Sequence, residues 1–251
     1  MIRVVLSNAK IWKSTLEAIS TLIDEADFNF EEGGIKLRSM DPSHVAMVDL
    51  DWQRSAFDDY SCSRPTKARI SIKGMLKLLK RVKSDENLEI VFDEETKKID
   101  LVLKGKITKK FTIPTLEPGG EEAPTPKLTF DSKIRIASKT LKEVLDDMQA
   151  VSDNVKLEAT VEKFMLQAIG ELSSAVIEIE KGNEALLEFD IKSPSKAIFN
   201  LSYLAEIVKA GASTSDLLNL EFSTNKPIKL ESELPGQGKL SYYLAPRIES
   251  E

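Results

Sequence analysis

The sequence predicts an α+β protein in which helices are segregated to one face of antiparallel sheets, built as two similar halves. Three observations carry this prediction. EPGGEEAPTPK at 117–127 packs three prolines, two glycines and three glutamates into one stretch and divides the 251-residue chain almost in half. Such a composition sustains neither a helix nor a central strand and reads as an extended, solvated linker. IRVVL at 2–6, followed by an amphipathic helix, recurs as IRIAS at 134–138, again followed by an amphipathic helix. Each half also repeats within itself: RISIKGML at 69–76 and KAIFNLSYL at 196–204 open the second unit of their halves. The expected domains are therefore 1–116 and 128–251, joined by the linker at 117–127, and each holds two strand-helix-strands repeats.

In the first helix, a rotation of about 100° per residue gathers Ile11, Trp12, Leu16, Ile19, Leu22 and Ile23 on one side. Lys10, Lys13, Ser14, Glu17 and Thr21 take the other. The second helix is expected to run three turns, over 73–83, with Ile72, Met75, Leu76, Leu79 and Val82 as its buried arc. Lys73, Lys77 and Lys80 then stack outward with Arg81 and Lys83 on the flanks, and no acid falls between residues 73 and 83. Like charges at i,i+4 cost a few tenths of a kcal/mol per pair, so a polyanion outside the chain is one reading and a solvated basic face the other. Alternating strands follow, among them NLEIVF at 87–92, KIDLVL at 98–103 and ITKKFTIPT at 107–115.

In the second half, the third helix presents Lys139 and Lys142 outward but also Glu143, Asp146 and Asp147. SSAVIEIEK at 173–181 and LNLEFS at 218–223 are further alternating strands. PGQGK at 235–239 lacks the spacing and the following Ser or Thr of a phosphate-binding loop and is expected to be a hairpin turn.

Composition narrows the function. An apolar content of 41% over this length supports a substantial core, and no apolar run approaches the roughly 20 residues of a membrane helix. The start MIRVVLSNAK lacks the apolar stretch of a signal peptide, which points to an intracellular compartment. Cys62 is the only cysteine, so no intrachain disulfide forms. A net charge of −6 argues against nucleic acid unless the positive charge is concentrated on one face. Abundant Lys and Glu with little Gln point to a heat-adapted cytoplasm.

Catalytic and metal chemistry find little support. His44 is the only histidine, with Asp41 three residues earlier and Ser43 adjacent, but no nucleophile-elbow pattern surrounds that serine. A small hydrolase using Asp41 and His44 is the remote alternative, and one His with one Cys is too few ligands for zinc. Neither a catalytic residue, a metal nor a cofactor is expected.

Five segments carry a resemblance: SMDPSHVAMVDL (39–50), FDDYSC (57–62), GMLKLLKR (74–81), GELSSAVIEIE (170–180) and KLSYYLAPRIE (239–249). In this order, and over nearly the whole chain, they resemble the proliferating-cell-nuclear-antigen (PCNA) family of DNA sliding clamps. The resemblance implies the DNA-clamp fold, head-to-tail trimers closing around duplex DNA, and processivity lent to a DNA polymerase. By residue matching it implies DNA-facing cations at Lys13, Lys77, Lys80 and Lys209, which helical geometry extends to Lys10, Lys73 and Arg81. It implies ring closure through the strands at 107–115 and 173–181, with Lys109, Lys110, Phe111 and Ile113 facing Val176, Ile177, Glu178 and Glu180. Opposite charges there would favour head-to-tail pairing over like-with-like pairing.

It also implies a peptide socket of Met40, His44, Val45, Met47, Pro227, Tyr243, Ala245, Pro246, Arg247 and Ile248. Family members usually set a bulky aliphatic residue near the position of Ala123, so the selectivity of this socket is expected to differ. The implied partners are duplex DNA, other clamp subunits, a replicative polymerase, a flap endonuclease, a DNA ligase and the clamp loader, with no membrane. The implied location is the cytoplasm of an archaeal-type host, or the nucleus of a eukaryotic one. A specialised or checkpoint-type subunit acting only in a mixed ring is the runner-up.

Overall fold

The computed structural model describes residues 1–117, 119, 123–124 and 126–248, so part of the linker at 117–127 lies outside the described residues. The chain divides into two compact units, one of Met1–Pro42, Val48–Ala123 and Leu234–Leu240, the other of Ser43–Met47, Pro124–Glu233 and Ser241–Glu251.

The first half runs β1 (Ile2–Leu6), α1 (Ala9–Ile19), β2 (Glu25–Glu31), β3 (Gly34–Met40), β4 (Ala46–Gln53), β5 (Asp59–Cys62), β6 (Thr66–Ser71), α2 (Ile72–Leu78), β7 (Asn87–Asp93), β8 (Lys98–Lys104) and β9 (Thr108–Pro114). The second runs β10 (Ser132–Ala137), α3 (Ser138–Gln149), β11 (Asn154–Ala159), β12 (Lys163–Ile169), β13 (Ser174–Glu180), β14 (Leu186–Ile191), β15 (Ser195–Asn200), α4 (Leu201–Ala212), β16 (Leu217–Phe222), β17 (Ile228–Leu234) and β18 (Gly238–Leu244). Strands lie side by side as β5-β1-β7-β8-β9 and β4-β3-β2-β6 in the first half, and as β14-β10-β16-β17-β18 and β13-β12-β11-β15 in the second. Adding nine to each strand number turns one arrangement into the other, which is the repeat read from IRVVL and IRIAS.

Alternation builds each sheet. β7 and β8 bury every second residue, Leu88, Ile90 and Phe92 against Ile99, Leu101 and Leu103, and pair antiparallel with Leu101 opposite Ile90. In the first unit the core is aromatic: Trp12 of α1 stacks on Trp52 of β4 at 5.7 Å, and Phe57 lies 5.2 Å from Trp52. The Tyr60 hydroxyl donates to both Glu31 O and Gly34 O at 2.7 Å, and burial pushes this phenol well above its ordinary pKa. In the second unit Tyr242 is 1% exposed, its hydroxyl has no hydrogen-bond partner among the described residues, and burial pushes its pKa far up.

The helices pack in pairs, α1 beside α2 and α3 beside α4. Asn8, Ser71 and Asn200 cap α1, α2 and α4 by accepting the N–H of Lys10, Gly74 and Tyr203. The second helix is shorter than its pattern predicts. It ends at Leu78, because Val82 N–H turns back to Leu79 O at 3.1 Å and Glu86 takes the Lys83 N–H at 2.8 Å. Lys80, Arg81 and Lys83 therefore ride on the turn after α2 rather than on a third helical turn. The PGQ segment at 235–237 is the expected turn between β17 and β18, with Gly236 at φ 71°. A Cβ at Gly236 would come within 2.3 Å of Ala56 Cα, so this turn needs glycine for space as well as conformation.

Candidate functional site

Three surfaces concentrate the residues singled out from the sequence. The first is the outward face of the helix pairs. In the first unit Lys10, Lys77, Lys80 and Arg81 are exposed and, among the described residues, hold no ion pair, while Lys13 pairs with Glu17 at 3.3 Å and Lys73 with Asp24 at 2.7 Å. In the second unit Lys209 of α4 pairs with Glu206 at 3.3 Å. Lys139 and Lys142 of α3 pair with Glu143 and Asp146 one turn on. Such arrays attract phosphate without reading bases, since the contact is Coulombic and carries no base-edge hydrogen bonds.

The second surface is a pair of sheet edges. β9 ends the five-stranded sheet of the first unit and β13 ends the four-stranded sheet of the second. On β9, Phe111 lies opposite Leu101 and Ile113 opposite Ile99, so both sit on the core side yet remain half-buried for want of an outer neighbour. On β13, Ile177 lies opposite buried Leu166 on the core side, while Val176 is 51% exposed on the outer face. The charges expected to meet across a seam are largely satisfied inside the chain. Lys110 pairs with Asp100 at 2.8 Å and Glu178 with Lys163 at 2.6 Å, whereas Glu180 is exposed.

Lys109 requires a correction. It reaches inward from β9 to Glu86 at 2.5 Å, a carboxylate only 6% exposed. Lys109 and the Lys83 N–H together hold the Glu86 carboxyl below its ordinary range. Glu86 O also accepts the Ala9 N–H at 2.9 Å, so this residue ties the start of α1, the turn after α2 and the edge strand together. The sequence signal was slight, one of two adjacent acids, 23 residues from its partner.

The third surface joins the early loop to the tail inside the second unit. Ala245 N–H donates to Val45 O at 2.9 Å, and Arg247 N–H donates to Ile198 O at 2.7 Å. The Arg247 guanidinium also donates to Asn154 Oδ1 at 2.7 Å, which fixes the tail and leaves Ile248 85% exposed. Val45, Ala245, Pro246, Pro227 and Tyr243 are half-buried, and His44 is exposed at φ 56°. Met40 ends β3 in the first unit, also half-buried. Met47 does not line an open surface. It is 4% exposed because Ala46, Met47 and Val48 are buried in succession, so at most it floors the surface residues. Ala123, half-buried, forms no part of a strand or helix.

Asp41, of the remote hydrolase alternative, is 3% exposed, whereas Ser43 and His44 are exposed. Among the described residues no group of three or more His, Cys, Asp or Glu side chains could hold a metal ion. No helix among them is long and apolar enough to cross a membrane.

Residues 1–117 match the family described as proliferating cell nuclear antigen, N-terminal domain, and residues 125–247 match its C-terminal domain. The chain is 36% identical over 252 residues to the DNA polymerase sliding clamp of Thermofilum pendens, covering 99% of this chain and 100% of that protein. It is 35% identical over 242 residues to DNA polymerase sliding clamp 1 of Pyrobaculum aerophilum, covering 96% of each. Among solved structures, PCNA from Thermococcus kodakaraensis superposes with a TM-score of 0.93 at 26% identity, over 98% of this chain and 100% of that one. With both halves matched and the repeat intact, the chain belongs to the proliferating cell nuclear antigen family.

Proposed function

We propose that this protein is a subunit of a DNA sliding clamp, a non-enzymatic ring that encircles duplex DNA without sequence preference and keeps a DNA polymerase on its template. The observation that carries the reading is the pair of open, apolar edges β9 and β13 on a chain of this family. Three copies joined edge to edge would close a ring, with β9 of one copy extending the sheet that ends at β13 of the next. A register that sets Phe111 against Ile177 keeps both on the core side and sets Lys110 against Glu178 on the outer face. Each large apolar side chain so covered contributes about 2 kcal/mol. Retention on DNA then comes from topology, while the unpaired cations of the helix faces supply a weak, salt-screened attraction compatible with sliding.

The surface around Val45, Pro246 and Ile248 suits a short peptide with aliphatic and aromatic anchors. We assign it to replication and repair partners: the polymerase, a flap endonuclease, a DNA ligase and the clamp loader. The backbone of the tail is already tied to Val45 O and Ile198 O, so a docking peptide meets a fixed wall and pays less ordering entropy. A cytoplasmic site of action in an archaeal-type cell agrees with the relatives found.

Polymerase extension of primed circular DNA, with loader and polymerase present and this chain added or withheld, tests the reading. Longer products only when the chain is present support it, and unchanged product length overturns it. Light scattering of the chain alone should give three times 28.0 kDa, and a stable mass of 28.0 kDa would mean that it works only in a mixed ring. Replacing Val45 by Glu and Pro246 by Ala should abolish peptide binding in calorimetry at unchanged ring mass. Equal affinity would refute the docking assignment.

A further inference from the structure

The two helix pairs, equivalent in the repeat, differ in charge. Across α1 and the residues 72–83, Lys10, Lys13, Lys73, Lys77, Lys80, Arg81 and Lys83 face a single acid, Glu17. Lys10, Lys77, Lys80, Arg81 and Lys83 are exposed and, among the described residues, their side chains hold no ion pair. The nearest acids in sequence are Asp24, engaged with Lys73, exposed Asp85, and Glu86, engaged with Lys109.

On α3 and α4 the balance reverses. Lys139, Lys142 and Lys209 are each paired with an acid one helical turn away, and Asp147 is left over. Exposed pairs of this kind are weak, so a phosphate could displace one. The displaced carboxylate would stay within a Debye length of about 8 Å and repel that phosphate, leaving no net attraction.

We infer that this chain contacts duplex DNA with one helix pair of its two: the phosphates are held by Lys10, Lys77, Lys80, Arg81 and Lys83, and the α3–α4 face is a surface without net positive charge over which the duplex passes. The inference rests on the clamp reading above and divides the labour within it. One cationic sector per chain gives a three-chain ring a threefold pattern of attraction, although its fold repeats six times. The shortening of α2 places Lys80, Arg81 and Lys83 on the turn after Leu78, whose backbone Glu86 holds in place, so these exposed cations start from a fixed position.

Binding of a fluorescently labelled linear duplex to the full-length protein, followed by anisotropy from low to moderate salt, tests the division. Lys77→Ala, Lys80→Ala and Arg81→Ala together should weaken binding at least tenfold and reduce the slope of log affinity against log salt by about 2.7, at about 0.9 per phosphate contact. Lys139→Ala, Lys142→Ala and Lys209→Ala together should change affinity less than twofold and leave the slope unaltered. Ring mass and thermal midpoint are measured for both triple variants, and single substitutions replace any triple variant that fails to assemble. Equal losses from the two sets, or a larger loss from the second, overturn the inference while leaving the clamp reading intact. No binding by the unaltered protein at low salt, together with no effect on polymerase product length, would overturn the clamp reading itself.

Discussion

β9 and β18 occupy the same place in the two halves of the chain, yet one is bare and the other buried. In β18, Leu240, Tyr242 and Leu244 are at most 1% exposed. In β9, by contrast, no residue is fully buried. β4 and β13 differ likewise: Val48, Leu50 and Trp52 are at most 1% exposed, while β13 buries only Ile179. Equivalence in the repeat therefore sets the path of the backbone but not its environment. The composition of each strand tells them apart, KLSYYL against TKKFTIP: the edge strand carries two lysines and a proline, which discourage indiscriminate strand addition. Such an edge suits one defined partner rather than any exposed strand.

Paired substitutions can break this comparison. Leu240→Asp should unfold the chain, since a carboxylate with no partner would replace a fully buried leucine. Phe111→Asp should leave the fold intact by circular dichroism and drop the scattering mass from three times 28.0 kDa to 28.0 kDa. A persistent trimer would show that β9 is not the seam.

Smaller effects should separate two neighbouring lysines. Lys109→Glu places a second acid against Glu86 and should lower monomer stability by about 2 kcal/mol in urea melts. Lys110→Glu loses the exposed pair with Asp100, should cost the monomer less than about 1 kcal/mol, and should weaken the ring about tenfold, with Glu178→Lys restoring part of the loss. The least effect is expected from Glu86→Gln. The folded pKa of Glu86 lies below its ordinary value of 4.5, so its contribution is present above that value and is lost as pH falls through the lower one. The variant should therefore show a shallower loss of stability in acid below about pH 4.5, and parallel curves for the two proteins would count against this role.

Much of the architecture was legible in periodicity. The arc Trp12, Leu16 and Ile19 and the alternation of β7 and β8 place the core without reference to tertiary contacts. What escaped were properties set by partners distant in sequence. Helical spacing assigned α2 a third turn because it could not register that Glu86 closes the segment behind Lys83. Lys109 read as a surface charge because its partner is met only once β9 lies beside β8 and the chain has folded back on residue 86. Met47 was set on the pocket wall by resemblance alone, which does not register that Ala46, Met47 and Val48 are buried in succession. In the candidate site the tail and the early loop were paired by resemblance, and the hydrogen bond from Ala245 to Val45 gives that pairing a physical form.

The buried phenols of Tyr60 and Tyr242 have an optical consequence. Both groups are held protonated far into alkali in the folded chain, whereas in the unfolded chain they ionise near their ordinary value of 10.0. Their contribution to stability is thus present below that value and drains away as alkali is added. The near-ultraviolet band of their phenolates should accordingly rise with unfolding rather than ahead of it, which makes two native tyrosines an internal absorbance gauge of folding, with no added label.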